Sequence, residues 1–243
     1  NMLFIGAEIS NISVGNSISG ESRIDEFAEA VDLIITNPPF GAEYQLDLLD
    51  RDKYPILSSI VHNQTTVNSE LALLDRCLTL LKPGGRLVIV LPDSVVSAKG
   101  MYEQFRNELI KTCEIKAVVE LPAVTFAQAG TRTKTVVLYI RKVKPEISKI
   151  FMAVCNDIGY TVKERTGVPV KISEGTNEMK RVAEEYINYC HHKGGKPEIL
   201  SCEPSVAIVP YHNLIDNVLN PSFYNVDRLS ILDTLANLNS NGY

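Results

Sequence analysis

Residues 37–40 read Asn37-Pro38-Pro39-Phe40 and follow directly on the apolar run Val31–Thr36. Consecutive prolines fix φ and remove two N–H donors. Each also pushes the residue before it out of helical geometry, so the corner is stiff and extended. The polar groups it offers are acceptors, the Asn37 amide oxygen and the Pro38 carbonyl. A conjugated amine is a poor nucleophile because its lone pair is delocalised into the ring. Two acceptors, each taking one N–H, would draw such a nitrogen toward tetrahedral geometry and aim its lone pair at an electrophile. Phe40 adds a ring on which a base swung out of a duplex can stack. No strong general base is required, since the proton leaves after the amine becomes cationic, and the rate gain comes from positioning. A plain turn after a strand uses the same residue types. The place at the end of an apolar strand favours a site, because open α/β sheets bind ligands beyond the carboxyl ends of their strands.

The corner needs a sheet behind it. Four short runs rich in Val, Ile and Leu read as buried strands: 31–36, 86–92, 116–122 and 135–141. Helical periodicity separates them. Residues 68–82 place Leu71, Leu74, Leu78 and Leu81 on one stripe and stop at Pro83-Gly84-Gly85, and residues 101–113 repeat the pattern with Phe105, Leu109 and Cys113. Strand–helix alternation predicts an α/β fold with a parallel sheet and right-handed crossovers. No helix-length pattern precedes 135–141, so that strand is expected to pair antiparallel. Beyond Lys142 a strand is expected at 149–155, a hairpin or loop at 157–176, an amphipathic helix at 176–192 and a linker or extended segment at 201–224. A last helical run carries Leu229, Leu232, Leu235 and Leu238.

The totals set limits. A length of 243 residues suits one large domain, or one domain with an appendage. No apolar run approaches the ~20 residues that span a bilayer, and no secretory signal opens the chain. Cys77, Cys113, Cys155, Cys190 and Cys202 form no C-x-x-C pair, which suits a reduced cytoplasmic setting without disulfides or zinc. The net charge of −5 argues against a free-standing DNA binder, since phosphate contacts need clustered Lys and Arg. A local exception runs through Arg132, Lys134, Arg141, Lys142 and Lys144, with no acid among them. It reads equally as solvated strand ends or as a phosphate-facing patch. His62-Asn63-Gln64-Thr65-Thr66 is expected to be a solvated loop, and Glu70 a helix N-terminal acid complementing the dipole. Cys190, His191, His192 and Cys202 lack metal-ligand spacing, so no metal site is expected.

Several stretches together resemble the N6-adenine DNA methylase family, in particular the modification (methylase) subunits of type I restriction-modification systems. They are Asn1-Met2-Leu3, Gly15-Asn16-Ser17-Ile18, 31–41, Lys82-Pro83-Gly84-Gly85-Arg86 to Leu91-Pro92, Glu120-Leu121-Pro122, and Gly130-Thr131-Arg132-Thr133-Lys134-Thr135 running into 136–142. Leu219-Asn220-Pro221-Ser222-Phe223-Tyr224 resembles the junction before a target-recognition region. The resemblance implies a Rossmann-like class I sheet, mostly parallel with antiparallel closing strands, here incomplete and with a C-terminal extension. It implies S-adenosylmethionine as methyl donor, a flipped adenine in double-stranded DNA as acceptor, and Asn37, Pro38 and Phe40 in the roles argued above. Asn16, Ser17 and Pro39 become cofactor-binding candidates, Asn16 standing where the family usually has an aspartate, and Thr131, Arg132 and Lys134 become DNA-binding candidates. A specificity subunit or fused target-recognition domain is the implied partner.

The family holds the methionine part of the donor with a glycine-rich loop upstream of the corner, and residues 1–36 contain no G-x-G signature. The chain is therefore expected to be an internal fragment that does not bind S-adenosylmethionine appreciably and is inactive by itself. Residues 1–156 are expected to be a partial catalytic domain, 157–200 its hairpin and helix extension, and 201–243 a linker and the start of a helix. The Asn-Pro-Pro-Phe type of motif also serves methylation of cytosine N4, guanine-N2 methylation of RNA and glutamine methylation of proteins. A non-catalytic DNA- or partner-binding scaffold is the reading from another class.

Overall fold

A computed structural model describes residues 12, 14–18, 23–45, 52–61, 66–127, 133–146, 149–162, 169–171, 177–191, 201–202 and 205–224. The corner emerges from β1 (Val31–Thr36) and leads through β2 (Glu43–Gln45) to α1 (Pro55–Ile60), β3 (Thr66–Asn68) and α2 (Ser69–Leu80). The chain then forms β4 (Leu81–Pro92), α3 (Asp93–Ser97), α4 (Met101–Thr112), β5 (Glu114–Leu121), β6 (Thr135–Arg141) and β7 (Lys149–Val154). After these come the hairpin β8 (Tyr160–Val162) and β9 (Pro169–Lys171), α5 (Glu178–His191), β10 (Ser201–Cys202) and β11 (Ser205–Pro210).

The central sheet has the order β1-β4-β6-β5-β7-β11-β10. Strands β1, β4, β5, β7 and β10 run one way, while β6 and β11 run against them, so the sheet is mostly parallel with two reversed strands. The helices explain the directions. α2 returns the chain to the start of the sheet before β4, and α3 with α4 does so before β5. Among the described residues no α-helix separates β5 from β6, and β6 comes back antiparallel, as its sequence predicts. It enters between β5 and β4, pairing Val118↔Leu138 on one side and Val88↔Tyr139 on the other.

Side-chain alternation divides the sheet into two faces. Leu87, Ile89 and Leu91 of β4 and Val136, Leu138 and Ile140 of β6 are fully buried on one, under the Leu71, Leu74 and Leu78 stripe of α2 and Phe105 and Leu109 of α4. On the other, Val182 of α5 is buried, and Tyr186 meets Phe151 edge-on at 5.3 Å and Tyr139 at 6.0 Å. α5 does not cover this face as far as β1, where Leu33 and Ile35 are 41% and 73% exposed.

Two boundaries differ from the sequence reading. α2 ends at Leu80, and the strand begins at Leu81 rather than after the glycines. The backbone at 84–85 already pairs with the end of β6, through Gly84 N to Lys142 O (2.7 Å) and Lys142 N to Gly85 O (2.8 Å). A side chain at Gly85 would meet Lys82 O at 2.9 Å and Val31 O at 3.1 Å, so the close passage of β1 requires glycine. Of the two readings of 201–224, linker or extended segment, the extended one applies to β11, which is built into the central sheet. β11 is hydrogen-bonded along β7, Ala207↔Met152 at its middle, and Val206 and Val209 are fully buried. A short strand buried on both faces shows no alternation, which is why periodicity missed it. The run beyond Val226 lies outside the described residues.

The segment after β11 folds back over α3 and α4, with Leu219 N donating to Val96 O (2.9 Å). Arg106 of α4 holds it. This guanidinium is 1% exposed and donates from Nε to Asn217 O (3.1 Å) and from Nη1 to Val95 O (3.0 Å). Arg106→Ala is expected to cost about 3 kcal/mol in urea unfolding, because it strands two carbonyls and empties a packed site. A loss below about 1 kcal/mol would show the segment to be held by other contacts.

Candidate active site

β1 ends at Thr36, paired with Ile89 of β4, and the corner begins there, beyond the carboxyl end of the strand. Pro38 is buried, Asn37 and Pro39 are exposed, and Phe40 is half-buried. The stiff part of the corner is thus seated while the Asn37 amide faces outward. Phe40 meets Phe126 edge-to-face, with ring centroids 6.4 Å apart and planes at 90°. Phe126 comes from the loop after β5, a turn closed by Thr125 N to Pro122 O (2.9 Å) and tied to the hairpin by Tyr160 OH to Thr125 O (2.9 Å). Two loops distant in sequence therefore bring an aromatic pair to one end of the sheet. Phe126 was missed at the level of sequence, because a lone Phe in a loop has no periodic signal.

Gly41 turns the chain away from the corner with φ of +78°, a conformation that L side chains rarely adopt. Ala42 O then accepts from Ser69 N (2.8 Å), and β2 pairs with β3, so the exit of the corner is fastened to the start of α2. Glu70 stands in the first turn of α2, as expected of a helix N-terminal acid, but it is turned inward. It is 3% exposed and accepts from Tyr102 OH (2.8 Å), Ser69 Oγ (3.3 Å) and Gly41 N (3.4 Å). Burial, and then the neighbouring Glu70, push the Tyr102 hydroxyl up to about 12, which keeps it a donor near neutral pH.

A second polar cluster lies at the carboxyl ends of β4 and β5. Glu120, buried, accepts from Lys134 Nζ, from Ser222 N (3.2 Å) and from Ser222 Oγ (2.5 Å). Asp93 accepts from Asn220 Nδ2 and from Ser97 Oγ (2.9 Å). The Asn220-Pro221-Ser222 segment is therefore laid across the strand ends. Lys134, half exposed, stands at this end, while Lys142 is at the other end of β6, bound to Leu81 O (2.7 Å) and Glu29 (3.2 Å). The basic run of the sequence is thus split along a strand and does not form one patch. Thr131 and Arg132 lie outside the described residues, as do His62 to Thr65. Asn16 is exposed, its Oδ1 accepting from Ile18 N (3.0 Å), Ser17 is half-buried, and the Ile18 carbonyl accepts from Tyr54 OH.

Comparison with known proteins adds a family. A family model described as N-6 DNA methylase matches residues 1–193. The StySPI type I restriction enzyme methylase subunit of Salmonella potsdam is 28% identical over 161 residues, covering 65% of this chain and 27% of its own. The EcoKI methylase subunit of Escherichia coli K12 is 27% identical over 161 residues, again 65% of this chain and 27% of its own. The chain thus spans about a quarter of the length of these relatives. Among solved structures, the type I restriction-modification methyltransferase subunit from Streptococcus thermophilus superposes with a TM-score of 0.64 at 17% identity, covering 93% of this chain and 44% of that one. That likeness is one of fold.

Proposed function

The chain belongs to the N-6 DNA methylase family, and from that premise we propose that it carries the amine-positioning half of a DNA adenine-N6 methyltransferase active site in a restriction-modification system. The observation that carries this reading is the seated Asn37-Pro38-Pro39-Phe40 corner with Phe126 against Phe40. A flipped adenine stacks on Phe40, whose tilt Phe126 maintains. Its amino group donates one N–H to the Asn37 side-chain oxygen and the other to the Pro38 carbonyl. With both hydrogens held, the nitrogen lone pair leaves conjugation and points away from the corner. Once the amine has become cationic it sheds a proton to solvent, so no buried base is needed.

S-adenosylmethionine, the donor in this reading, supplies an electrophilic methyl on a sulfonium. The described residues do not by themselves make a site for it. Asn16, whose Oδ1 accepts from Ile18 N and has a second lone pair, and Ser17 are its candidates among the described residues, but the described glycines, Gly41, Gly84, Gly85, Gly100 and Gly159 among them, build no G-x-G loop between a strand end and a helix. Pro39, exposed like Asn37, is the residue of the corner that this reading assigns to the donor side. Double-stranded DNA is the substrate of this reading, and a specificity subunit or fused target-recognition domain supplies the sequence discrimination. Lys134, which stands half exposed at this end of the sheet beside Glu120, is a candidate for DNA backbone contact in this reading, as are Thr131 and Arg132, which lie outside the described residues.

The full-length protein, with its specificity partner and radiolabelled S-adenosylmethionine, is expected to place label in DNA, recovered as N6-methyladenine after nuclease digestion. Label recovered in RNA guanine or protein glutamine, with none in DNA, would overturn the reading.

A further inference from the structure

We propose that the Glu70 carboxylate, braced by Tyr102, is a positioning residue that fixes the angle at which the corner presents its two acceptor oxygens. This rests on the methyl-transfer reading above. The argument begins with what a proline pair lacks. Pro38 and Pro39 have no N–H, so the corner cannot be anchored through its own central amides and must be held from its flanks. The upstream flank is held by the sheet, Thr36 pairing with Ile89. Downstream, Glu70 Oε2 accepts from Gly41 N (3.4 Å), directly after Phe40.

The burial of Glu70 points the same way. An acid that merely complements a helix dipole contributes about 0.3–1 kcal/mol and does so from the surface. Removing a carboxylate from water costs several kcal/mol unless donors compensate it. Glu70 is 3% exposed, and the donors it meets come from three places: Gly41 after the corner, Ser69 of α2 and Tyr102 of α4. The Tyr102 bond is the shortest of these at 2.8 Å and fixes the carboxylate plane. Helices α2 and α4, both packed on the sheet, thereby brace the corner through one side chain. Methylation of a conjugated amine is sensitive to acceptor direction, and a misplacement of about 1 Å can cost about a hundredfold in rate.

The test compares Glu70→Ala, Glu70→Gln and Tyr102→Phe with Asn37→Ala in the full-length enzyme with its specificity partner. The readouts are kcat, KM for DNA, and Tm as a measure of folding. Glu70→Ala is expected to lower kcat about thirtyfold with KM for DNA within about twofold. Glu70→Gln is expected to stay within about threefold of wild type, since its oxygen can still accept from Gly41 and its amide can donate to the Tyr102 hydroxyl. Tyr102→Phe, which removes only the brace, is expected to lower kcat about fivefold while the enzyme stays folded. The proposal is overturned by Glu70→Ala retaining kcat within about twofold, by Gln matching Ala in its loss, or by the loss lying wholly in KM. If Glu70→Ala does not fold, an unchanged kcat in Tyr102→Phe overturns it. Asn37→Ala separates the two readings: if that variant turns over normally the methyl-transfer reading itself fails, whereas if it is inactive while Glu70→Ala is not, only the positioning role fails.

Discussion

Asn37→Ala in the full-length enzyme is expected to lower the rate of methyl transfer about a thousandfold while leaving DNA affinity within a few-fold of wild type. Removing one preorganised polar group aimed at a reacting centre typically costs about 10²–10³ in kcat. The upper end applies here because Asn37 must both accept an N–H and break the conjugation of the amine. The Pro38 carbonyl alone can polarise the amine but cannot set two directions at once. Pro38 is buried and Asn37 exposed, so truncating Asn37 leaves the stiff corner seated and does not create a core cavity. Phe40→Ala is expected to act differently. It removes the stacking surface, about 1–3 kcal/mol per base, so its loss falls mainly on retention of the flipped base. Single-turnover rates at saturating DNA distinguish the two, and an Asn37→Ala enzyme with a wild-type rate would end the assignment of this corner.

Stability is expected to decline as pH rises from about 4 to about 7 because of one buried acid, Asp75. It is fully buried in α2 and accepts from Leu57 N (2.8 Å) and Ile56 N (3.3 Å) at the start of α1. Burial raises its pKa from 3.8 to about 7, and the two backbone bonds offset only part of that. Below pH 3.8 the group is protonated in both the folded and the unfolded chain, so it contributes no pH dependence. Between 3.8 and about 7 the unfolded chain has released the proton and the folded chain has kept it, so rising pH favours unfolding. Above that window the difference is constant. Roughly three pKa units correspond to about 4 kcal/mol. Asp75→Asn cannot ionise, so urea unfolding should show wild type losing about 4 kcal/mol relative to the variant between pH 4 and pH 8. A constant difference across that range would sink the assignment. The consequence reaches the site, since α2 carries Glu70 as well as Asp75.

Much of this architecture was legible along the chain because it is local. β6 read directly from its residues, since a run such as Val136 to Ile140 is apolar on both faces and permits little but a central strand; β1 was legible as a strand but not as a buried one, for it stands at the end of the sheet order with Leu33 and Ile35 exposed. The antiparallel return of β6 followed from a connection that carries no helix-length pattern. Asn37-Pro38-Pro39-Phe40 was legible for the same kind of reason: proline stiffness is intrinsic to the residue and survives any tertiary setting. What remained hidden depends on partners far away in sequence. An acid opening a helix looks alike whether solvated or buried, and only the approach of Tyr102, 32 residues on, and of Gly41, 29 residues back, turns Glu70 inward. Phe126, in the loop after β5, meets Phe40, after β1, across the ends of strands far apart in sequence, and no periodicity encodes that neighbour relation. Lys134 reads as a free basic residue until Glu120 is placed beside it. By itself, then, the sequence determined the stiff Asn37-to-Phe40 corner and the strand that delivers it, on which the proposed acceptor role rests. Tertiary packing alone decided what braces that corner, because bracing requires contacts between segments whose local propensities say nothing about one another.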